Sequence, residues 1–345
     1  MILRKCFSIL YLVFGFICGF YFHKTYESSV FYKQDIKSHL IDNDLLKEKN
    51  IIERKPNATK LYNDIKVLCW ILTSPATHES KAKHVKATWG KRCNKILFMS
   101  TKLDDSLPSI DLGVKEGRDY LWGKTRAAFK IIYDKYIDDY DWFLKADDDS
   151  YIILENLRYM LSNYDPETPI HFGAKFKAYF KKGWMSGGSG YVLSRSAVKK
   201  FVKVALPNPN ICRESPNTFA EDLEIGICLG NIGVMVGDSR DEKGKSRFMP
   251  FPPITHLTPG RIGSDNWFWD YVYYPTENNP NCCSGNAIGF HYITPEQMYE
   301  LEYLIYNVFP YGIEVPNVYP PLLPPDDDSI PSNVLKAKLT SKNNT

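Results

Sequence analysis

The sequence predicts an α/β domain with a mostly parallel central sheet flanked by helices, spanning residues 66–312. Three observations predict it. Short continuous apolar runs, the pattern of strands buried on both faces, recur along the chain. Segments of helical period separate them, and such alternation favours crossover connections and a parallel sheet. An acidic triplet, Asp147-Asp148-Asp149, closes one of the runs, where sheets of this kind bind ligands.

The elements follow in order. Arg4 and Lys5 precede an uncharged run, residues 6–22, closed by His23 and Lys24. A secretory h-region has ~7–15 residues and a small-x-small cleavage site, which this run lacks. A membrane span needs ~17–25 residues. The run is therefore expected to be an uncleaved transmembrane anchor, with residues 1–5 cytosolic and the bulk on the other side. Residues 23–65 are polar with interleaved charges and read as a stem. Residues 313–345 are rich in proline, then in Asp, Lys, Ser and Asn, the composition of a disordered tail.

Within the domain, residues 67–73 and 96–99 are apolar runs, and residues 142–144 form a third. Phe129, Ile132, Tyr133, Tyr136 and Ile137 keep helical spacing across residues 121–137. Residues 191–193 and 232–236 are further strands, each beside a helical segment, 194–204 and 218–230. Thr218 and Glu221 have capping-box spacing, which gives Glu221 a structural role and leaves Asp222 as the candidate general base. In residues 267–274 six of eight side chains are aromatic. Trp267, Trp269, Tyr271 and Tyr273 keep period two, as on one face of a strand.

The 345 residues carry 43 Lys and Arg against 40 Asp and Glu, a net charge of +3. That balance gives no footprint of a nucleic-acid binder. Cysteines point to an oxidising compartment. Two of the eight, Cys6 and Cys18, belong to the apolar run. Chain order among the other six favours Cys69–Cys93 and Cys212–Cys228, leaving the adjacent Cys282–Cys283. No Cys-x-x-Cys pair suggests zinc. Asn57-Ala58-Thr59 is a glycosylation sequon.

Three successive carboxylates repel each other, and a hard divalent cation offsets that repulsion. An Asp-x-Asp at a strand end leaves two carboxylates for a metal that also holds a diphosphate. Asp326-Asp327-Asp328 has the same residues without a strand before it and reads as a solvated turn. Residues 184–191 are glycine-rich but lack the P-loop and dinucleotide patterns. Their glycines suit close backbone approach to a ligand or a tight turn. His291, in Gly289-Phe290-His291-Tyr292, is a plausible nitrogen ligand beside such a cation.

These motifs together resemble glycosyltransferase family 31, in particular its members that add β1,3-linked galactose. The resemblance covers residues 66–312. It rests on residues 142–149, 185–194, 220–226 and 237–241, and on Cys282-Cys283-Ser284 through Gly289-Phe290-His291-Tyr292. It implies a GT-A fold, Mn²⁺, a UDP-galactose donor and a glycoprotein acceptor bearing Ser/Thr-linked GalNAc. It assigns Asp147, Asp149 and His291 to the metal, and Asp222 to the base. Lys124, Asp148, Gly187 and Gly188 fall on the donor, and Trp267 and Tyr292 on the acceptor sugar. It further implies a single-pass type II protein of the Golgi membrane with a lumenal domain. A homodimer is left open. Two alternatives stand beside it. One is a fringe-type β1,3-N-acetylglucosaminyltransferase, which Cys282-Cys283 and the aromatic segment oppose. The other is a non-catalytic chaperone-like relative, which the intact acidic triplet opposes.

Overall fold

The computed structural model describes residues 56–215 and 220–312. The expected anchor, most of the stem, the tail and Thr218 lie outside the described residues. Among the described residues no helix is long and apolar enough to cross a membrane.

The chain opens with α1 (Pro56–Asp64), then β1 (Val67–Leu72), α2 (Lys83–Ala87), β2 (Lys95–Ser100), β3 (Ser109–Asp111), α3 (Leu121–Tyr136) and β4 (Trp142–Asp147). Next come β5 (Tyr151–Ile152), α4 (Leu154–Leu161), β6 (Ile170–Phe176), β7 (Trp184–Ser194) and α5 (Arg195–Lys200). The last group is α6 (Glu221–Asn231), β8 (Met235–Val236), β9 (Phe248–Met249), α7 (Pro253–Leu257), α8 (Phe268–Tyr271), β10 (Gly289–Phe290) and α9 (Pro295–Tyr306).

The main sheet has the order β3-β2-β1-β4-β7-β6-β8. Its neighbours pair in parallel except at β7, which is antiparallel to both β4 and β6. The sheet is thus mixed, and mostly parallel as expected. Period two divides the core into two layers. Val67, Cys69 and Ile71 of β1 join Leu144, Tyr151, Leu157 and Met298 on one face. Leu68, Trp70 and Leu72 join Trp122, Phe129, Phe201 and Leu229 on the other. A small second sheet, β5-β10-β9, sits beyond the end of β4. Among the described residues the disulfides are Cys69–Cys93, Cys212–Cys228 and Cys282–Cys283, the expected set.

Several expectations shift. The domain begins before residue 66. The ring of Tyr62 lies 4.7 Å from the Arg158 guanidinium, and Leu61 packs on the core. Residues 56–65 therefore fold with the domain rather than as stem, because α1 has an apolar face to bury. The helix expected over 218–230 starts at Glu221 with Ala220 as N-cap. Glu221 is no capping-box residue. The 267–274 segment is no strand: its core is α8, opened by the Asn266 side chain accepting from the Phe268 N–H at 3.0 Å. Only Val272 bridges to the sheet, at Phe176. The local cap turns residues 268–271 into a helical turn, and strand-like pairing with the end of β6 begins only after it, the Lys177 N–H donating to the Tyr271 carbonyl and the Tyr273 N–H to the Lys175 carbonyl.

The glycine-rich segment is neither turn nor loop but the first half of β7. Its register with β6 jumps from Gly173↔Tyr191 to Ala174↔Ser186. Gly187, Gly188, Ser189 and Gly190 are thus extruded as a bulge, with Gly190 at φ 85°, where a side chain would be strained. Pairing of β4 with β7 ends at Lys145↔Tyr191. The bulge therefore lies just past the carboxyl end of β4.

Candidate active site

Alternation along β4 puts Lys145 and Asp147 on one face of the strand. Lys145 is buried, with Nζ 2.7 Å from Asp147 Oδ1, 3.6 Å from Glu221 Oε2 and 3.4 Å from the Gly187 carbonyl. Burial works against its charge, but Asp147 and Glu221 outweigh it and the pKa is raised. Sequence reading missed this residue. The signal was present: it stands two positions before Asp147 on a strand.

Asp147, Asp149 and His291 each offer a ligand atom, all within 4.8 Å of one another. The second sheet makes this possible. Phe290 of β10 pairs with Tyr151 of β5. The Ile293 N–H donates to the Asp149 carbonyl at 2.9 Å and the His291 N–H to the Met249 carbonyl at 3.2 Å. His291 Nε2 then lies 3.5 Å from Asp149 Oδ1. Its ring rests on Gly188, where a Cβ would come within 2.0 Å of Nδ1. Ser150 ties the acidic turn to the bulge, accepting from the Asp147 N–H and donating to the Gly188 carbonyl. Burial would raise the Asp149 carboxyl, yet His291 and Lys81 hold it down to about 2. A second cluster, His256 with Cys282 and Cys283, is close-set as well, but its sulfurs are joined as a disulfide.

The Asp148 carboxylate turns to the Thr73 and Thr77 hydroxyls, at 2.8 and 2.6 Å. Lys81 Nζ lies 3.7 Å from Asp148 and 3.1 Å from Asp149. Lys124 is buried, donating to the Thr73 carbonyl at 2.5 Å and to Glu116 at 2.9 Å. Asp148 and Lys124, expected on the donor, are thus both occupied with the end of β1. Lys81, Thr73 and Thr77 were not anticipated; nothing in their local sequence distinguishes them.

Asp222 stands in the first turn of α6, accepting from the Gly187 N–H at 2.8 Å. Burial raises its pKa, against the pull of that N–H and of Lys145. Desolvation therefore outweighs the helix N-terminus, which on its own would favour the anion. Its neighbour Glu221 is buried and accepts from Thr125 Oγ1 at 2.9 Å and from the Tyr191 hydroxyl at 2.6 Å. Glu221 anchors α6 to the sheet, and Asp222 is left beside the bulge.

Trp267 and Tyr292 are 43% and 52% exposed. Phe251 links them, 5.7 Å from the first ring and 6.2 Å from the second. Tyr292 stacks on His291 at 3.7 Å and holds a φ of 56°. A left-handed aromatic residue is strained, and such strain clusters at functional sites. Asn57 lies in the first turn of α1.

Three side chains that could together hold a cation, and a separate carboxylate, meet on one glycine bulge at strand ends and make this the candidate active site. The chain belongs to the Fringe-like family, whose model matches residues 63–241. It is 46% identical over 273 residues to the Xenopus laevis glycoprotein-N-acetylgalactosamine 3-beta-galactosyltransferase 1, covering 79% of this chain and 74% of that one. It is 28% identical over 172 residues to the human beta-1,3-glucosyltransferase, covering 49% of this chain and 33% of the relative. Among solved structures, the galactosyltransferase LgtC with donor and acceptor sugar analogs superposes at a TM-score of 0.38. Identity there is 14%, over 71% of this chain and 98% of that one.

Proposed function

We propose that the chain is an inverting galactosyltransferase of GT-A type. It moves galactose from UDP-galactose to O3 of Ser/Thr-linked GalNAc on glycoproteins, forming Galβ1-3GalNAc. One observation carries the chemistry: adjacent residues of one bulge receive the two halves of the site. Gly187 N–H holds Asp222, and Gly188 makes room for His291. The sugar and the acceptor are read from the name of the 46% identical relative.

Transfer with inversion by a single displacement needs one base and one stabilised leaving group. Asp222 takes the proton from the acceptor hydroxyl, and its raised pKa makes it a stronger base than an exposed aspartate. Two carboxylates and an imidazole fit a divalent cation such as Mn²⁺. That cation, when bound, neutralises charge on the departing diphosphate. Lys145 keeps Asp147 oriented from below. Trp267 and Tyr292 offer ring faces to the acceptor sugar. Three disulfides fit an oxidising lumen. We place the protein in the Golgi membrane, with residues 6–22 as type II anchor.

The test is incubation of the full chain with Mn²⁺, UDP-galactose and a GalNAc-Thr peptide. Gain of one hexose by mass spectrometry, released by a β1,3-specific galactosidase, is expected. No gain overturns the reading.

A further inference from the structure

Each carboxylate of the acidic triplet has a partner, but the partners differ in how firmly they are fixed. Asp147 is held by Lys145, whose side chain is 2% exposed and also lies 3.6 Å from Glu221. Asp148 directs Oδ2 at the Thr73 and Thr77 hydroxyls. Asp149 is shared. Its Oδ1 faces His291 Nε2 at 3.5 Å, and its Oδ2 accepts from Lys81 Nζ at 3.1 Å.

Lys81 is the partner that can leave. Its side chain is 37% exposed. It sits in the last turn of a short helical segment, His78–Ala82, and reaches the acidic turn on a flexible four-carbon stem. An ion pair this exposed holds its partners weakly. Asp148 keeps its two hydroxyl donors without it. Lys124, also at the end of β1, has no such freedom: it is buried on the Thr73 carbonyl and Glu116.

An ammonium on a metal-ligating carboxylate acts in two opposite senses. In the free protein its charge opposes a divalent cation at Asp147, Asp149 and His291, and it competes for Asp149. A cation on Asp149 draws off the negative charge that held the lysine. The anion then within reach of Lys81 is the diphosphate held by the same cation, and a charge-assisted hydrogen bond to it is the stronger contact.

We infer that Lys81 is a donor-binding residue: it balances Asp149 in the free protein and donates to a diphosphate oxygen of the nucleotide-sugar when the cation is bound. The inference rests on the metal and diphosphate reading proposed above and adds a cation to it from the chain itself.

Titration calorimetry of the full chain tests it. Mn²⁺ binding is measured without nucleotide, then UDP binding at saturating Mn²⁺, for wild type, Lys81→Met and Lys81→Arg. Lys81→Met should bind Mn²⁺ at least about threefold more tightly than wild type, because a neighbouring positive charge is gone. The same variant should bind UDP at least about tenfold more weakly, the scale of one hydrogen bond to a charged group. Lys81→Arg, which keeps the charge, should recover most of the UDP affinity. A lysine with a purely structural role would not move the two affinities in opposite directions. Equal or weaker Mn²⁺ binding by Lys81→Met overturns the inference and makes Lys81 a support for Asp149. Unchanged UDP binding overturns it by removing the phosphate contact. No Mn²⁺ binding by wild type overturns the metal reading, and this inference with it. Circular dichroism checks the fold; should Lys81→Met not fold, Lys81→Gln carries the same two expectations.

Discussion

The ring of His291 lies on Gly188 so closely that a Cβ there would stand 2.0 Å from Nδ1. The imidazole follows directly after β10 and the glycine lies in β7, far apart in sequence, so the two positions are packed as one. Gly188→Ala should therefore expel the imidazole from the Asp147 and Asp149 cluster. We expect Mn²⁺ affinity to fall at least tenfold, the scale of losing one oriented ligand, with the fold retained. Titration calorimetry against Mn²⁺ and circular dichroism check both halves; unchanged Mn²⁺ affinity would count against His291 as a ligand.

Lys145 sits beneath the site between Asp147 and Glu221. Lys145→Met leaves two carboxylates facing each other in a buried place. Breaking a buried ion pair from one side costs ~3–5 kcal/mol. Denaturant unfolding should show a loss of that order. Mn²⁺ should bind the surviving folded protein more weakly, since Asp147 loses its support.

Asp222 has a pKa raised by burial. The active form is the carboxylate, so activity should fall as pH drops through that raised value and should recover above it. Asp222→Asn should remove transfer by at least ~100-fold while UDP binding persists. For stability the sign is opposite to that of a paired aspartate. Burial disfavours the anion, so above the raised pKa the folded state carries a cost. Asp222→Asn, whose amide oxygen can still accept from Gly187, should therefore raise Tm at neutral pH and not at acid pH. A pH series of melting curves would show it.

Trp267 is half exposed and held edge-on by Phe176 and Tyr271, at 6.0 and 5.3 Å. Trp267→Ala should raise KM for the GalNAc acceptor about tenfold, the loss of ~1.4 kcal/mol of ring contact, and leave KM for UDP-galactose within twofold. Initial-rate kinetics with each substrate varied would separate the two. An equal rise in both constants would make the ring structural.

Cys69–Cys93 joins β1 to the turn before β2, across a sequence separation of 24. Cys69→Ser with Cys93→Ser should cost about 3 kcal/mol, most of it from the unfolded chain. Chemical denaturation under non-reducing conditions measures it.

What the sequence alone determined is local. Apolar runs and their alternation with helical period located β1, β2, β4 and α3, because burial on two faces or on one stripe leaves a readable spacing. The strand end marked Asp147 and Asp149, and the order of the cysteines anticipated all three bridges. Tertiary structure decided what depends on partners distant in sequence. Pairing with β6 turned the glycine run into a bulge. The small sheet carried His291 to Asp149. Trp267 became the lead-in to a helix, packed against Phe176 and Phe251, rather than part of a strand. Lys145 became the buried cation of the site only when Glu221 packed against it, since burial and ion pairing are properties of the assembled layers and not of any one segment.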